Sequence, residues 1–295
     1  MIDKLEFFIM LAREQHFGHA AEELGITQPT LSAAVKQLED QLGVMLVRRG
    51  SRFQGLTDEG NQVLVWAKRI VGDSRAMRDE MRAARHGLSG RIRIAAIPTA
   101  LAMIPQLTTP FREKHPGVTF QILSRTSIEI LFLLGNLDID AGITYLDNEP
   151  LGRVTSVPLY SERYQLITAA GTRFADRKSV SWAEVSTLSL CLLTADMQNR
   201  RIIDQHLQEA GVAVRPTLES NSMILLFSHI RTGKWSSIMP LNLAETLGFA
   251  EPIRAIPIIE PDASHLVGLV AAPRDPQTPL VATLLDEARA LAARM

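Results

Sequence analysis

The hydrophobic repeat of this 295-residue chain changes its period once, between Gly87 and Gly90. Upstream, apolar residues recur at steps of three and four, the spacing of helices that bury one face. Downstream, short apolar runs alternate with helical stretches, the pattern of an α/β layer structure with a largely parallel sheet. One core cannot serve both patterns, so two or three folding units are expected, and 46% hydrophobic residues supply the material to bury them. The longest uncharged stretch, 97–111, is interrupted by Pro98, Pro105 and Pro110 and falls short of the roughly 18 apolar residues of a membrane span. An N-terminus carrying Asp3, Lys4 and Glu6 does not read as a secretion signal, so a cytoplasmic location is expected. The one cysteine, Cys191, lies in the apolar run 188–193 and reads as core.

A net charge of −1 excludes a protein that coats nucleic acid by bulk electrostatics, so any such contact must be focal. In the first sixty residues acids such as Glu14, Glu22, Glu23, Glu39 and Asp40 outnumber the bases and read as a solvated surface. The exception is the set Lys36, Arg48, Arg49 and Arg52.

Leu5, Phe8, Ile9 and Ala12 form one helical stripe, and Phe17, Ala20, Ala21 and Leu24 a second. Gly25 suits the tight turn that follows, Ile26 can enter the core, Thr27 offers an N-cap and Pro29 fits a first helical turn. In this third helix Leu31, Val35, Leu38 and Leu42 make the expected buried stripe, leaving Gln28, Ser32 and Lys36 on another face. The arrangement is a helix-turn-helix, and the runs 44–49 and 53–56 around Gly50, Ser51 and Arg52 read as a hairpin wing. Gln28 can pair with adenine N6 and N7, a discrimination of about 1 to 3 kcal/mol, or stand as a solvated helix start. Pro29 either meets a thymine methyl or only starts the helix. Thr27, Thr30, Ser32 and Lys36 suit phosphates; Arg49 and Arg52 suit the backbone or minor groove, with a structural salt bridge the rival reading for Arg49.

Phe17, Ala20, Ala21, Leu24, Gln28, Pro29, Ser32, Leu38, Glu39, Leu42, Gly43, Leu46 and Arg49, closed by Leu56, Thr57 and Gly60, carry a close resemblance to LysR-type transcriptional regulators. Gly18 and Val47 depart from that pattern, where the family usually has serine or threonine and phenylalanine. The resemblance implies a sequence-specific regulator, not an enzyme, that binds double-stranded DNA at an interrupted palindrome and answers to a small-molecule effector. From residue 58 onward Val63, Ala67, Ile70, Ser74, Met77, Met81 and Ala84 form a heptad seam, capped by Thr57 and stopped by Gly87. Such a helix either packs on its own protein or pairs with a copy of itself, its length and flanking arginines favouring pairing, and the resemblance adds a dimer of dimers, a homotetramer.

The expected organisation is a winged helix-turn-helix over 1–57 and a linker helix over 58–89. An α/β sensor of two Rossmann-like lobes follows, resembling a periplasmic binding protein, with lobe I over 90–162 and 266–295 and lobe II over 163–265. Ligands of open α/β sheets bind where strands end and helices begin. That places Pro98, Thr99, Ala100, Ser127 and Thr144 at the site from one lobe, and Arg200 and Ser222 from the other. Thr99 and Ser127 read either as contacts to an organic anion or as simple N-caps. Arg200 reads as a carboxylate partner or a solvated helix start; Trp235, standing where the family usually has glycine, narrows the cleft or packs in the core. No cofactor is expected: nucleotide loops, a nucleophile elbow and metal-spaced histidines are all absent from the sequence. The alternatives are an α/β enzyme and a secreted solute receptor; the missing motifs weigh against the first, and the N-terminal helices against the second.

Overall fold

The computed structural model describes residues 1–48, 53–241, 243 and 253–294. Contacts divide the chain into two compact units, Met1–Arg85 and His86–Met295.

The first unit is helical: α1 (Ile2–Glu14), α2 (Phe17–Glu23), α3 (Gln28–Leu42) and α4 (Asp58–His86). Leu5, Phe8, Leu11, Ala20, Ala21, Leu31, Val35 and Leu38 meet in one core, which the start of α4 completes through Ala67 and Val71. His16 caps α2, its Nδ1 accepting from the Gly18 and His19 amides at 3.1 and 3.2 Å. Gly25, at φ 66°, lets the chain reverse, and Thr27 then caps α3 by accepting from the Thr30 amide.

Two sequence expectations fail here. Leu42 is 41% exposed, because α3 ends at Gly43 and its last turn runs past the core. Glu39, expected in solvent, is buried: its Oε1 accepts from the Leu46 and Val47 amides at 2.8 and 3.2 Å, supplying an acceptor before the next strand does. That strand pairs antiparallel through Val47 and Leu56, with Arg48 N–H donating to Gly55 at 3.0 Å, as a wing requires. Arg49, Gly50, Ser51 and Arg52 lie outside the described residues.

Thr57 joins wing and helix, accepting from Gly60 N–H at 2.8 Å and donating to the Met45 carbonyl at 2.6 Å. A Cβ on Gly60 would lie 2.1 Å from the Leu46 carbonyl oxygen, so only glycine lets α4 start this close to the wing. The expected heptad seam divides. Ala67 and Ser74 are buried within the unit, whereas Ile70, Met77 and Met81 are exposed with Trp66 on a separate stripe. Ala84's side chain lies outside the described residues.

The second unit carries a mixed sheet whose strands lie in the order 117–124, 89–96, 141–145, 264–271, 155–169, 253–259, 180–181. Strand β1 (Ser89–Ala96) pairs parallel with β2 (Gly117–Ser124) and β3 (Ala141–Tyr145). A 3-10 segment (Pro98–Met103) and α5 (Ile104–Lys114) connect β1 to β2, and α6 (Ser127–Gly135) connects β2 to β3. The 15-residue β4 (Thr155–Ala169) then spans both lobes. Its first half pairs with β10 (Ser264–Ala271), its second with β8 (Ser237–Pro240) and β9 (Ile253–Ile259). Next to β9 lies β5 (Val180–Ser181), leading into α7 (Trp182–Val185). In lobe II, β6 (Cys191–Leu193) pairs parallel with β7 (Leu218–Ser220), between α8 (Gln198–Glu209) and α9 (Met223–Ile230). The C-terminal helix Pro279–Ala292 returns to pack on β4 and α5.

The expected largely parallel sheet is therefore mixed: β10 runs antiparallel to both neighbours, because β4 and β10 carry the chain across to lobe II and back. Burial explains which runs became strands. All five residues of β3 are buried, as in a strand covered on both faces, while β4 alternates before its fully buried end. Cys191 is fully buried in β6, as read from the sequence.

Candidate functional site

In the first unit, α3 turns Leu31, Ala34, Val35 and Leu38 inward and leaves Gln28, Pro29, Ser32, Lys36 and Gln37 exposed. Thr27 and Thr30 are exposed too, their hydroxyls joined at 2.8 Å at the helix start. The first-turn amides and the positive end of the helix dipole point the same way, favouring a negatively charged partner. The six described candidates, Thr27, Gln28, Pro29, Thr30, Ser32 and Lys36, thus share one exposed region of one rigid helix. Arg49 and Arg52 cannot be placed with them.

In the second unit a cleft of about 460 Å³ opens between the lobes. Pro98 and Leu101 line it from the 3-10 segment, and Ser124, Arg125, Thr126 and Glu129 from the β2–α6 turn. Lobe II contributes Asp196 and Met197 before α8 and the segment 221–224 at the start of α9. Three helix starts therefore border one space. Of the candidates, Pro98 and Ser222 line it directly; Ser222 also caps α9.

Thr99, Ala100, Ser127 and Thr144 are buried, at 4% exposure or less. The N-cap reading fails for both hydroxyls in question. Thr126 is the cap of α6, in a reciprocal box with Glu129, and Ser127 follows it with a buried Oγ that has no hydrogen-bond partner. Thr99 lies inside its 3-10 segment; its Oγ1 makes no hydrogen bond of ordinary geometry, yet lies close enough to Glu162 to favour the ionised carboxylate. Thr144 ends the fully buried β3 with the same lack of a partner for Oγ1.

Two candidates are engaged elsewhere. Arg200, read from sequence as a solvated helix start or an anion partner, is 6% exposed and bonds to Asp204 at 2.8 Å, to Glu219 at 2.5 Å and to the Leu193 carbonyl at 2.8 Å. Trp235 is not among the cleft-lining residues. Its Nε1–H donates to Thr217 Oγ1 at 3.1 Å and its ring stands edge-on to His229.

Sequence reasoning missed a buried polar cluster where the lobes join. Tyr145 of β3 donates its hydroxyl to Glu162 Oε1 of β4, and Asn199 of α8 donates to the Tyr145 oxygen at 3.0 Å and to the same Oε1 at 3.4 Å. Burial pushes the Glu162 carboxyl up to about 7, opposed by the Tyr145 bond, the nearby Thr99 hydroxyl and the Asn199 bond. His265 stands opposite Glu162 in the β10 register and lies 3.0 Å, Nε2 to Nε2, from His206 of α8. Burial, then repulsion from His265, lowers the pKa of His206. Among the described residues, no group of three or more His, Cys, Asp or Glu is arranged to hold a metal ion, and no helix is long and apolar enough to cross a membrane.

Comparison with known proteins agrees with both units. Residues 2–61 match the bacterial regulatory helix-turn-helix protein, lysR family, and residues 85–293 the LysR substrate binding domain. The chain is 29% identical to the HTH-type transcriptional regulator YfeR of Shigella flexneri over 88% of this chain and 85% of that one. It is 25% identical to the DNA-binding transcriptional dual regulator OxyR of Escherichia coli K12, over 100% and 95% of the two chains. A full-length OxyR from Pseudomonas aeruginosa shares the fold at a TM-score of 0.77 and 24% identity, covering 99% and 96%. The CbnR regulator in complex with its target DNA shares it at 0.63 and 22%, covering 99% and 100%. A DNA-binding helix-turn-helix joined to a substrate-binding domain places this chain in the LysR family of bacterial transcriptional regulators.

Proposed function

We propose that the chain binds an operator through α3 and the wing, and that a small organic molecule with an anionic group, held between the lobes, modulates that binding. The observation that carries the reading is the set of buried hydroxyls without partners, Ser127 and Thr99 in the segments that border the interlobe cleft and Thr144 at the end of the neighbouring β3. Buried hydroxyls ordinarily find partners, and a ligand oxygen arriving beside the amide-rich start of α6 supplies one. The exposed stripe Trp66, Ile70, Met77 and Met81 on α4 suits a second copy of the chain, which brings a second α3 to the other half of a palindrome. Dimers of dimers extend the same logic to paired sites.

Several relatives are named hydrogen peroxide-inducible genes activators. Peroxide sensing through sulfur needs an accessible thiolate. Cys191, the one cysteine of the sequence, is fully buried and its thiol is pushed up to about 11, so a reversibly bound ligand fits this chain better than an oxidised thiol.

The test is a mobility shift on the DNA upstream of the chain's own gene, with and without metabolites that raise its melting temperature. A specific shift altered by one such metabolite, and no longer altered in Thr99→Val with Ser127→Ala, supports the reading. Undiminished response in that double variant sinks the cleft, and absence of any specific shift sinks operator binding.

A further inference from the structure

The effector reading above accounts for an acid group; the buried cluster of Tyr145, Glu162 and Asn199 has the opposite chemistry, and Thr99 and Asn199 lie within two residues of the cleft-lining Pro98 and Met197. Glu162 is 1% exposed, and its two carboxylate oxygens are treated unequally. Oε1 receives donors from Tyr145 and Asn199, whereas Oε2 is buried with no hydrogen-bond partner. Ionised, Oε2 lacks a hydrogen bond of ordinary geometry, although the Thr99 hydroxyl lies close enough to Glu162 to favour that state; protonated, it is a buried hydroxyl without an acceptor. Each state leaves a desolvated group unmet.

The surroundings select between ways of meeting it. The groups that act on Glu162 are the hydroxyls of Tyr145 and Thr99, the Asn199 amide and the carboxylate of Asp147; none is a cation. The neighbouring bases are spoken for: Arg163 pairs with Asp262, Arg200 with Asp204 and Glu219, and Arg201 with Glu149. His265, across β10, lies 3.4 Å from Asp147 and 3.0 Å from His206. An incoming cationic donor therefore meets a preformed acceptor without displacing a protein cation. The acceptor is built from β3, β4, the 3-10 segment and α8, so a group seated on it touches both lobes at once.

We infer that the effector is a zwitterion whose ammonium group sits on Glu162 Oε2 while its acid group faces the start of α6, a further assignment that rests on the cleft being the effector site. Less than 1 Å² of Oε2 is exposed, so the lobes must part to admit the ligand and close on it afterwards. Closure on the amine is then what distinguishes bound from free protein.

The experiment uses the full chain and matched probes: the common L-amino acids, their decarboxylated amines and their deaminated 2-oxo acids. Thermal shift screens them, and titration calorimetry measures the binders. At least one amino acid is expected to bind about tenfold or more tighter than its 2-oxo acid, and Glu162→Gln to remove that preference. Ser127→Ala should weaken amino acid and 2-oxo acid alike, whereas Thr99 also acts on Glu162 and so cannot serve as the acid-end control. A readout that needs no variant is proton release. With a carboxyl titrating at about 7, seating an ammonium at pH 7 expels roughly half a proton, so binding heat changes with the buffer's ionisation enthalpy. A 2-oxo acid that binds as tightly as its amino acid, with sensitivity to the Ser127 change and none to Glu162→Gln, overturns the inference and leaves the cleft standing. Binding indifferent to both sets of changes overturns both, and failure of every amino acid to bind overturns the inference.

Discussion

The two units treat polar groups in opposite ways. Around α3 the polar candidates are exposed over an apolar core, and even the buried acid Glu39 has both its donors in place. In the second unit Ser127, Thr144 and Oε2 of Glu162 are buried with partners missing. A surface that docks on hydrated phosphates can keep its groups wet until contact. A site that encloses a small molecule must withdraw its groups from water and rely on the ligand to complete them. On the reading proposed above, recognition by the first unit is a matter of rigid presentation, and recognition by the second a matter of unmet valence.

The harshest test of rigid presentation is Gly60→Ala, which drives a Cβ to 2.1 Å from the Leu46 carbonyl. We expect the first unit to lose about 3 kcal/mol or more, seen as an early melting step with weakened DNA binding. An unchanged melt would mean the close approach is not needed.

Unmet valence predicts a pH signature of nearly the same size. The Glu162 carboxyl is raised from 4.5 to about 7 on folding, so the folded unit holds a proton that the unfolded chain has released. Stability from this group is present below pH 4.5 and is lost as pH rises through about 7, a swing of roughly 3 kcal/mol by linkage. Glu162→Gln should flatten the swing; denaturant titrations of the isolated transition between pH 5 and 8 decide it, and an unaltered slope would place the proton elsewhere.

Next in size, Gln28→Ala should remove about 1 to 3 kcal/mol of preference at one base position. Lys36→Ala should instead weaken all sequences alike and reduce the salt slope by about one. Equal profiles across a site library would erase the distinction between base-reading and phosphate-holding positions. The smallest effect is expected at Thr27→Ala, about 1 kcal/mol of helix stability from the lost cap, measured by the thermal midpoint. A DNA affinity that falls much further than that would show Thr27 touching the DNA itself.

The same contrast explains what could be read in advance. The first unit was legible because its signals are local: Gly25, Thr27 and Pro29 sit within five residues and fix one turn and one cap. Its misreadings, Glu39 and Leu42, depend on where the wing lies and where the core ends, which no helical period records. In the second unit the strand ends at Thr99 and Ser127 were legible, and their burial without partners was not. Glu162, Tyr145 and Asn199 escaped notice because they come from three elements 17 and 37 residues from the acid. Arg200 looked available because its partner Glu219 is brought in by the β6–β7 pairing.

Strand β4 crosses from one lobe to the other without a break, and β10 runs beside it in the opposite direction. Neighbouring strands are rotated relative to one another by an amount that varies between sheets. The lobes are thus joined through twisted strands, and a change of twist where β4 leaves β10 turns one lobe against the other. Glu162 and His265 face each other at that end of the pairing, one position from its last pair, so a ligand on the proposed amine site is expected to set the angle between the lobes.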